Sequence, residues 1–488
     1  MDDFVIINGV LIRYDGNDQD IVIPDSVQRI GDRVFECDEN ITSVTIPNSV
    51  TIIGADAFHQ CSSLTSITIP DSVISIGKFA FSECTSLKSA VLSKGLTRIT
   101  KGMFAMCTAL TSVTIPDSVK SIELWAFSGC ESLTDFTMPA TVSSIGSAAF
   151  SGCYGLANES GLVLIRDFLQ ACKRDVTSVI VPNYITHISG EAFNGCEKLT
   201  DVTIPNSVYS IGYAAFHGCR SLQHLTIPQT VTYIGYSAFA GCESLTDVTI
   251  PYAIKCIPQD LFGGCTSLTH VTLPDGITSI EEGAFMNCTS LQSIDIPSAV
   301  SSIGAHAFEN CSSLTSIKLP DWVTSIEPRT FAECSNLKSI TIPASVEQIG
   351  EEVFAGCSQL ESLQNNSRAS LGKNTFGDSL PKKLLGDLET LLPQLSDDDV
   401  TQLFLSPPAW EKQTPENKLS IFLSHQNKNM LLKYVSCMTQ KDLDGIASAL
   451  LERLSTSPQR KDYTAAANLM LYLSLIHISE PTRPLSIS

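Results

Sequence analysis

One phrase returns along this chain every 23 residues, and so short and regular a repeat leaves few folds open. "IPDSVISIGKFAFSEC" (69–84) is one copy. Its anchor column is Pro24, Pro47, Pro70, Ser93, Pro116 and Pro139, then Pro182, Pro205, Pro228, Pro251, Pro274, Pro297, Pro320 and Pro343. In all fourteen units an Ile lies six residues after the anchor (Ile30 to Ile349) and a Phe eleven after it (Phe35 to Phe354). A Cys lies fourteen after it in thirteen units; in the first, Cys37 comes one place early. A Leu closes the unit seventeen after it, with Ile41 the single variant.

"LTSITIP" (64–70) alternates apolar and polar residues, the pattern of a short strand with one buried face. "SVISIG" (72–77) reads as a second extended piece with a turn at Gly77, and "AFSEC" as a corner that turns inward. One such unit buries too little to hold itself together. Each buried apolar side chain contributes ~1.5–3 kcal/mol, whereas ordering the backbone costs ~1–2 kcal/mol per residue. Stacked units share strands and core, so the repeat is stable only as an array. At ~4.8 Å per coil, fourteen coils predict a rod roughly 65 Å long.

The pattern resembles the BspA-like class of the leucine-rich repeat family, and the resemblance covers residues 21–360. It implies a right-handed repeat solenoid, mainly β, with one strand per coil on one face. It further implies a non-enzymatic binding protein, often adhesin-like and bacterial, that takes a protein ligand. No catalytic residue belongs to the motif, so none is expected here, nor any cofactor.

The chain holds 17 cysteines, and their spacing weighs against metal chemistry. No C-x-x-C pair occurs, and zinc sites need converging ligands. A redox thiol is a singular residue beside a base or a helix start; thirteen identical settings are not singular. Disulfides between neighbouring coils are sterically open, since one strand spacing falls inside the allowed Cα separation. A full column cannot all pair without breaking the stacking. Small buried thiols beside Phe are the reading favoured here, and many free thiols suit a reducing compartment or an anaerobic source.

Breaks in the period give the organisation. Residues 1–20 are expected to be starter strands, 21–153 a first block of six coils, and 182–360 a second block of eight. The spacing of 43 from Pro139 to Pro182 holds an insertion (154–181) whose "GLVLIRD" echoes "GVLIRYD" (9–15). Residues 361–380 are expected to cap the array. From Pro381 to 472 helical spacing and helix-start signals, such as Thr414 before Pro415, predict a small α-helical domain. The end, "LSLIHISEPTRPLSIS" (473–488), resembles a translated sequencing adapter, as found in metagenomic reads. It is expected to be a non-native tail.

With 31 Lys and Arg against 51 Asp and Glu, the net charge of −20 argues against nucleic acid and anionic membranes. No apolar run is long enough to span a bilayer. The N-terminus lacks a basic, signal-like start, which makes the cytoplasm the default expectation, although related proteins are often secreted or surface-attached. A monomer is expected. No hydrolase, phosphate-loop or dinucleotide motif is present.

What remains is surface. Four residues before the anchor, an outward strand column that is mostly Ser becomes Asp201, His224, Asp247 and His270 in consecutive coils. These are the candidate partner-binding residues, with a solvated ladder of charge pairs as the plainer account and a weak metal site as a remote one. Tyr213 and Tyr236 share another column and are candidates for a partner patch. The competing class of function is a recognition module of a longer enzyme or signalling protein.

Overall fold

The computed structural model describes residues 3–377. The expected helical domain, the tail, Cys437 and the last residues of the expected cap lie outside them. The chain divides into two compact units, residues 1–254 with 260–271, and residues 255–259 with 272 onward. Among the described residues both are β-solenoids built from the same 23-residue coil, with no α-helix.

The resemblance implied one strand per coil; nearly every coil has two. The first, such as Ser66–Thr68, pairs in parallel with its equivalent 23 residues on, Ser89–Val91. The second, such as Ser75–Ile76, pairs with Ile52–Ile53 of the previous coil. The anchor proline joins the two strands. It cannot donate to the ladder, and its carbonyl closes a tight turn by accepting the amide three residues on, as in Val73 N–H to Pro70 O at 3.0 Å. Ser93 replaces it once, fully buried, and donates its hydroxyl to Val73 O at 2.6 Å.

The corner is a third line of pairing between coils. Alternate amides donate to the next coil, as Phe79 N–H to Lys101 O, Phe81 N–H to Met103 O and Glu83 N–H to Ala105 O. This bend needs two left-handed residues per coil, nine and thirteen after the anchor, for example Phe79 (φ 55°) and Glu83 (φ 62°). Gly supplies many of the second positions, among them Gly129, Gly218 and Gly241, but few of the first. A non-glycine residue there costs ~1–2 kcal/mol, an expense the inter-coil hydrogen bonds offset.

Between the two left-handed residues the Phe side chain turns inward. Phe35, Phe58, Phe81, Phe104, Phe127 and Phe150 form a stack with centroids 4.9–5.6 Å apart. A second stack runs from Phe193 to Phe262 at 4.7–5.7 Å. In the second unit Phe285, Phe308, Phe331, Phe354 and Phe376 continue the motif.

The column cysteines from Cys61 to Cys357 are buried and unpaired by disulfides. They are more than apolar filler. Each of most of them donates its S–H to the carbonyl of the previous coil's Phe, as Cys84 to Phe58 O at 3.1 Å and Cys242 to Phe216 O at 3.3 Å. Burial pushes several of these thiols up, Cys265 and Cys334 to about 12. Cys37 lies one place early, in a left-handed position, and is exposed, donating to Gln60 Oε1 instead. A thiol reagent at mild pH is therefore expected to label Cys37, and more slowly the half-buried Cys256, before any column member. Nearly all 17 thiols should react after denaturation without reductant. A large shortfall there would mean disulfides and contradict this picture.

The glycine seven after the anchor is not a turn residue. Gly77 and Gly235 have ordinary negative φ. A Cβ on either would lie 2.3 Å from a backbone nitrogen of the previous coil, that of Ala55 or Tyr213. At these two positions the coils approach too closely for a side chain.

Each of the two echoing segments lies in a β-hairpin. Phe4–Ile7 pairs antiparallel with Val10–Tyr14, and Leu162–Ile165 with Phe168–Cys172, each with an irregularity two pairs from the turn. The second strand then opens a parallel ladder, to Arg29–Ile30 and to His187–Ile188. The echo was one strand out of step: "GVLIRYD" lies on a second strand and "GLVLIRD" on a first.

Candidate interaction surface

In the strands Asp201–Thr203, His224–Leu225 and Asp247–Thr249 the middle residue Val202, Leu225 or Val248 is buried, and the residue before it is exposed. This is the alternation of a sheet with one face on the core. The parallel register sets Ser178 beside Asp201, Asp201 beside His224 and His224 beside Asp247. His270–Thr272 is the next strand of the same sheet. The four candidates thus form one exposed row.

His224 Nδ1 lies 4.0 Å from Asp247 Oδ1, with side chains 76% and 67% exposed. Water and salt screen a pair this open, so it contributes ~1 kcal/mol or less when the imidazole is protonated. Thr246 donates to Asp247 Oδ1 at 2.8 Å. A second row runs beside the first. Arg220 lies 3.9 Å from Glu197 and 3.3 Å from Glu243, also in the open. Its signal in the sequence was the same 23-residue spacing, Glu197, Arg220 and Glu243, which went unread. Each row alternates acidic and basic side chains over three coils. Among the described residues no group of three or more His, Cys, Asp or Glu is placed to hold a metal ion.

The tyrosine column behaves differently from the expectation. Tyr213 and Tyr236 stack with centroids 5.2 Å apart at 14°. Tyr236 is 53% exposed, but Tyr213 is half-buried. Its ring covers Gly190, where a Cβ would lie 2.6 Å from Tyr213 Cε1. Its hydroxyl accepts from Trp125 Nε1 at 2.5 Å, reaching back past the inserted hairpin. Gly190 N–H donates to Ser147 Oγ at 2.9 Å across the same junction. Desolvation, followed by the nearby Glu191, raises the Tyr213 phenol above its usual range. Tyr213 is therefore a staple between coils on either side of the insertion, and Tyr236 alone is presented outward. Trp125 was unassigned in the sequence because its partner is 88 residues away in another column.

A further aromatic group lies on the second-strand sheet. The Phe168 and His187 rings stack at 4.3 Å, and His187 meets the Tyr209 ring edge-on at 4.5 Å. Tyr209 and Tyr233 are 44% and 56% exposed. Burial lowers the His187 imidazole pKa, against the pull of Asp167.

No curated protein matches the chain. Among solved structures, it is similar to a leucine-rich repeat protein from Bacteroides ovatus at 30% identity, covering 73% of this chain and 88% of that one, with a TM-score of 0.43. It is similar also to a leucine rich cell surface protein from Faecalibacterium prausnitzii at 28% identity, covering 75% and 93%, with a TM-score of 0.39. The model of the BspA type leucine rich repeat region matches in six copies over residues 28–157, 165–292 and 255–381. That span covers most of the chain and carries the anchor, Phe and Cys columns described above, so the chain belongs to the BspA type leucine-rich repeat family.

Proposed function

We propose that this protein is a non-enzymatic binding scaffold, and that the strand face around Asp201, His224, Asp247 and His270 contacts an extended protein segment. The observation that carries the reading is the row itself. Four consecutive coils depart from the Ser background at one exposed position while their inward residues stay aliphatic. Core packing cannot require them, because their side chains do not enter the core. Side chains ~4.8 Å apart along a row suit a partner with repeating polar contacts. The flanking Glu197, Arg220 and Glu243 extend the same alternation and would select a partner with a complementary pattern of charge.

The test replaces all four residues by Ser after a partner has been captured by pull-down. Affinity is expected to fall at least tenfold, about 1.4 kcal/mol, with the melting temperature unchanged. Undiminished binding by a folded quadruple variant would remove the row from the site. The exposed aromatic group around Tyr209 and Tyr233 would then be the next surface to alter.

A further inference from the structure

One cysteine in the column lacks the hydrogen bond that holds the others. Cys196 opens the coils after the inserted hairpin, and no Phe precedes it at the required place. Its S–H reaches only the carbonyls of Cys172 and Lys173, both at 3.8 Å. The Cys172 S–H points to the same Lys173 carbonyl, at 3.5 Å. Two thiols from different elements thus converge on one oxygen. The column members Cys61 to Cys153 are instead fixed to a Phe carbonyl at 3.1 Å.

The surroundings favour reaction at this pair. The Arg174 guanidinium folds over the turn that presents Cys196: its Nε lies 3.6 Å from where a Cβ on Gly195 would be. A cation there favours the thiolate, which is the nucleophilic form. Cys196 is held below the usual thiol range, first by the Cys172 S–H and then by Arg174. The thiols of Cys219, Cys242 and Cys311 are pushed up by burial. Both sulfurs are buried, and Cys172 is followed directly by the exposed stretch 173–175.

We propose that Cys172 and Cys196 are a disulfide-forming pair that a hydroperoxide closes, locking the inserted hairpin to the first corner of the coils that follow it. The Cys196 thiolate attacks one peroxide oxygen, the O–O bond breaks, and hydroxide leaves. The proton released when Cys196 ionises converts that hydroxide to water. The resulting sulfenic acid is attacked by the Cys172 sulfur, forming the S–S bond and expelling a second water. Two thiols are oxidised and one peroxide is reduced, so no other reagent is needed.

The experiment treats the reduced full chain with stoichiometric hydrogen peroxide, alkylates it in denaturant and digests it with trypsin. Cleavage after Arg166, Lys173, Arg174 and Lys198 separates the two cysteines, so a bond between 167–173 and 175–198 appears as one linked peptide. That peptide is expected to be the first oxidised product, and the denatured thiol count should fall by two. The exposed variant Arg174→Gln should slow its formation severalfold, with the melting temperature of the reduced protein unchanged. Full alkylation of Cys172 and Cys196 while Cys37 is already oxidised would overturn the proposal. Linkage of adjacent column cysteines such as Cys219 and Cys242 at an equal rate would overturn it too, as would an Arg174→Gln variant that closes at the wild-type rate.

Discussion

Replacing Phe239 by Ala is expected to destabilise the first unit by ~3–5 kcal/mol. The side chain is fully buried and stacks on Phe216 at 5.6 Å and on Phe262 at 5.7 Å. The cost depends on how far the site can collapse, and here it cannot collapse far. Backbone bonds between coils hold both neighbours in place, such as Phe216 N–H to Ala238 O and Phe239 N–H to Leu261 O. Two interfaces are lost at once, because stability in a stacked array is summed over nearest neighbours. Denaturant unfolding gives the total, and hydrogen exchange at residues 216–262 should show the loss centred on those coils. A cost below ~1 kcal/mol would mean that the stack is not a principal source of stability.

Gly235→Ala separates two accounts of a glycine column by the sign of its effect. If the site had room for a methyl group, Ala at this negative φ would stabilise by ~0.4–1 kcal/mol through the unfolded state. The structure predicts the opposite, a loss of ~1–3 kcal/mol from overpacking. The new Cβ would lie 2.3 Å from Tyr213 N and 2.6 Å from Tyr213 Cα, both backbone atoms with nowhere to move. Some coils that carry a larger residue at this position use its polar group. Thr100 donates its hydroxyl to Gly77 O at 3.0 Å, and Glu123 Oε2 accepts from Lys101 N–H at 2.9 Å. Alanine offers no such bond. Thermal melting of the single variant decides the matter, and a raised melting temperature would show that the site is not crowded.

Most of the fold was legible because the repeat states the same constraint many times over. Inward columns such as Ile30 to Ile349 and Phe35 to Phe354 could be read directly as core, and they are buried almost without exception. The charged row was legible for the same reason, since a departure from a regular column stands out. What could not be read was whatever depends on backbone approach or on pairs in different columns. Gly77 looks the same in sequence whether it relieves torsion or proximity. The bond from Trp125 to Tyr213 crosses an insertion that shifts the register, so no fixed spacing reveals it. The left-handed residues nine after the anchor were invisible too, because Phe79, Trp125, Glu191 and Asp260 share no chemistry. Surrounding hydrogen bonds impose that conformation, not the residue itself.

The two hairpins also bear on how such a chain assembles. The strand ladders between coils join residues 23 apart, whereas Ile7 meets Val10 and Ile165 meets Phe168 across the tightest of turns. A hairpin closes in ~1–10 μs. During synthesis at ~5–20 residues per second, a whole coil emerges only every ~1–5 s. Each hairpin is therefore complete long before the coil that will dock on it exists, and each coil can settle onto a finished edge before the next one leaves the ribosome. The antiparallel strand also covers the outer side of the ladder's first strand, where unpaired amides would otherwise recruit another chain. A solenoid of near-identical coils has many wrong registers available to it. A local start at residues 4–14, and another at 162–172, gives growth a fixed origin and a direction.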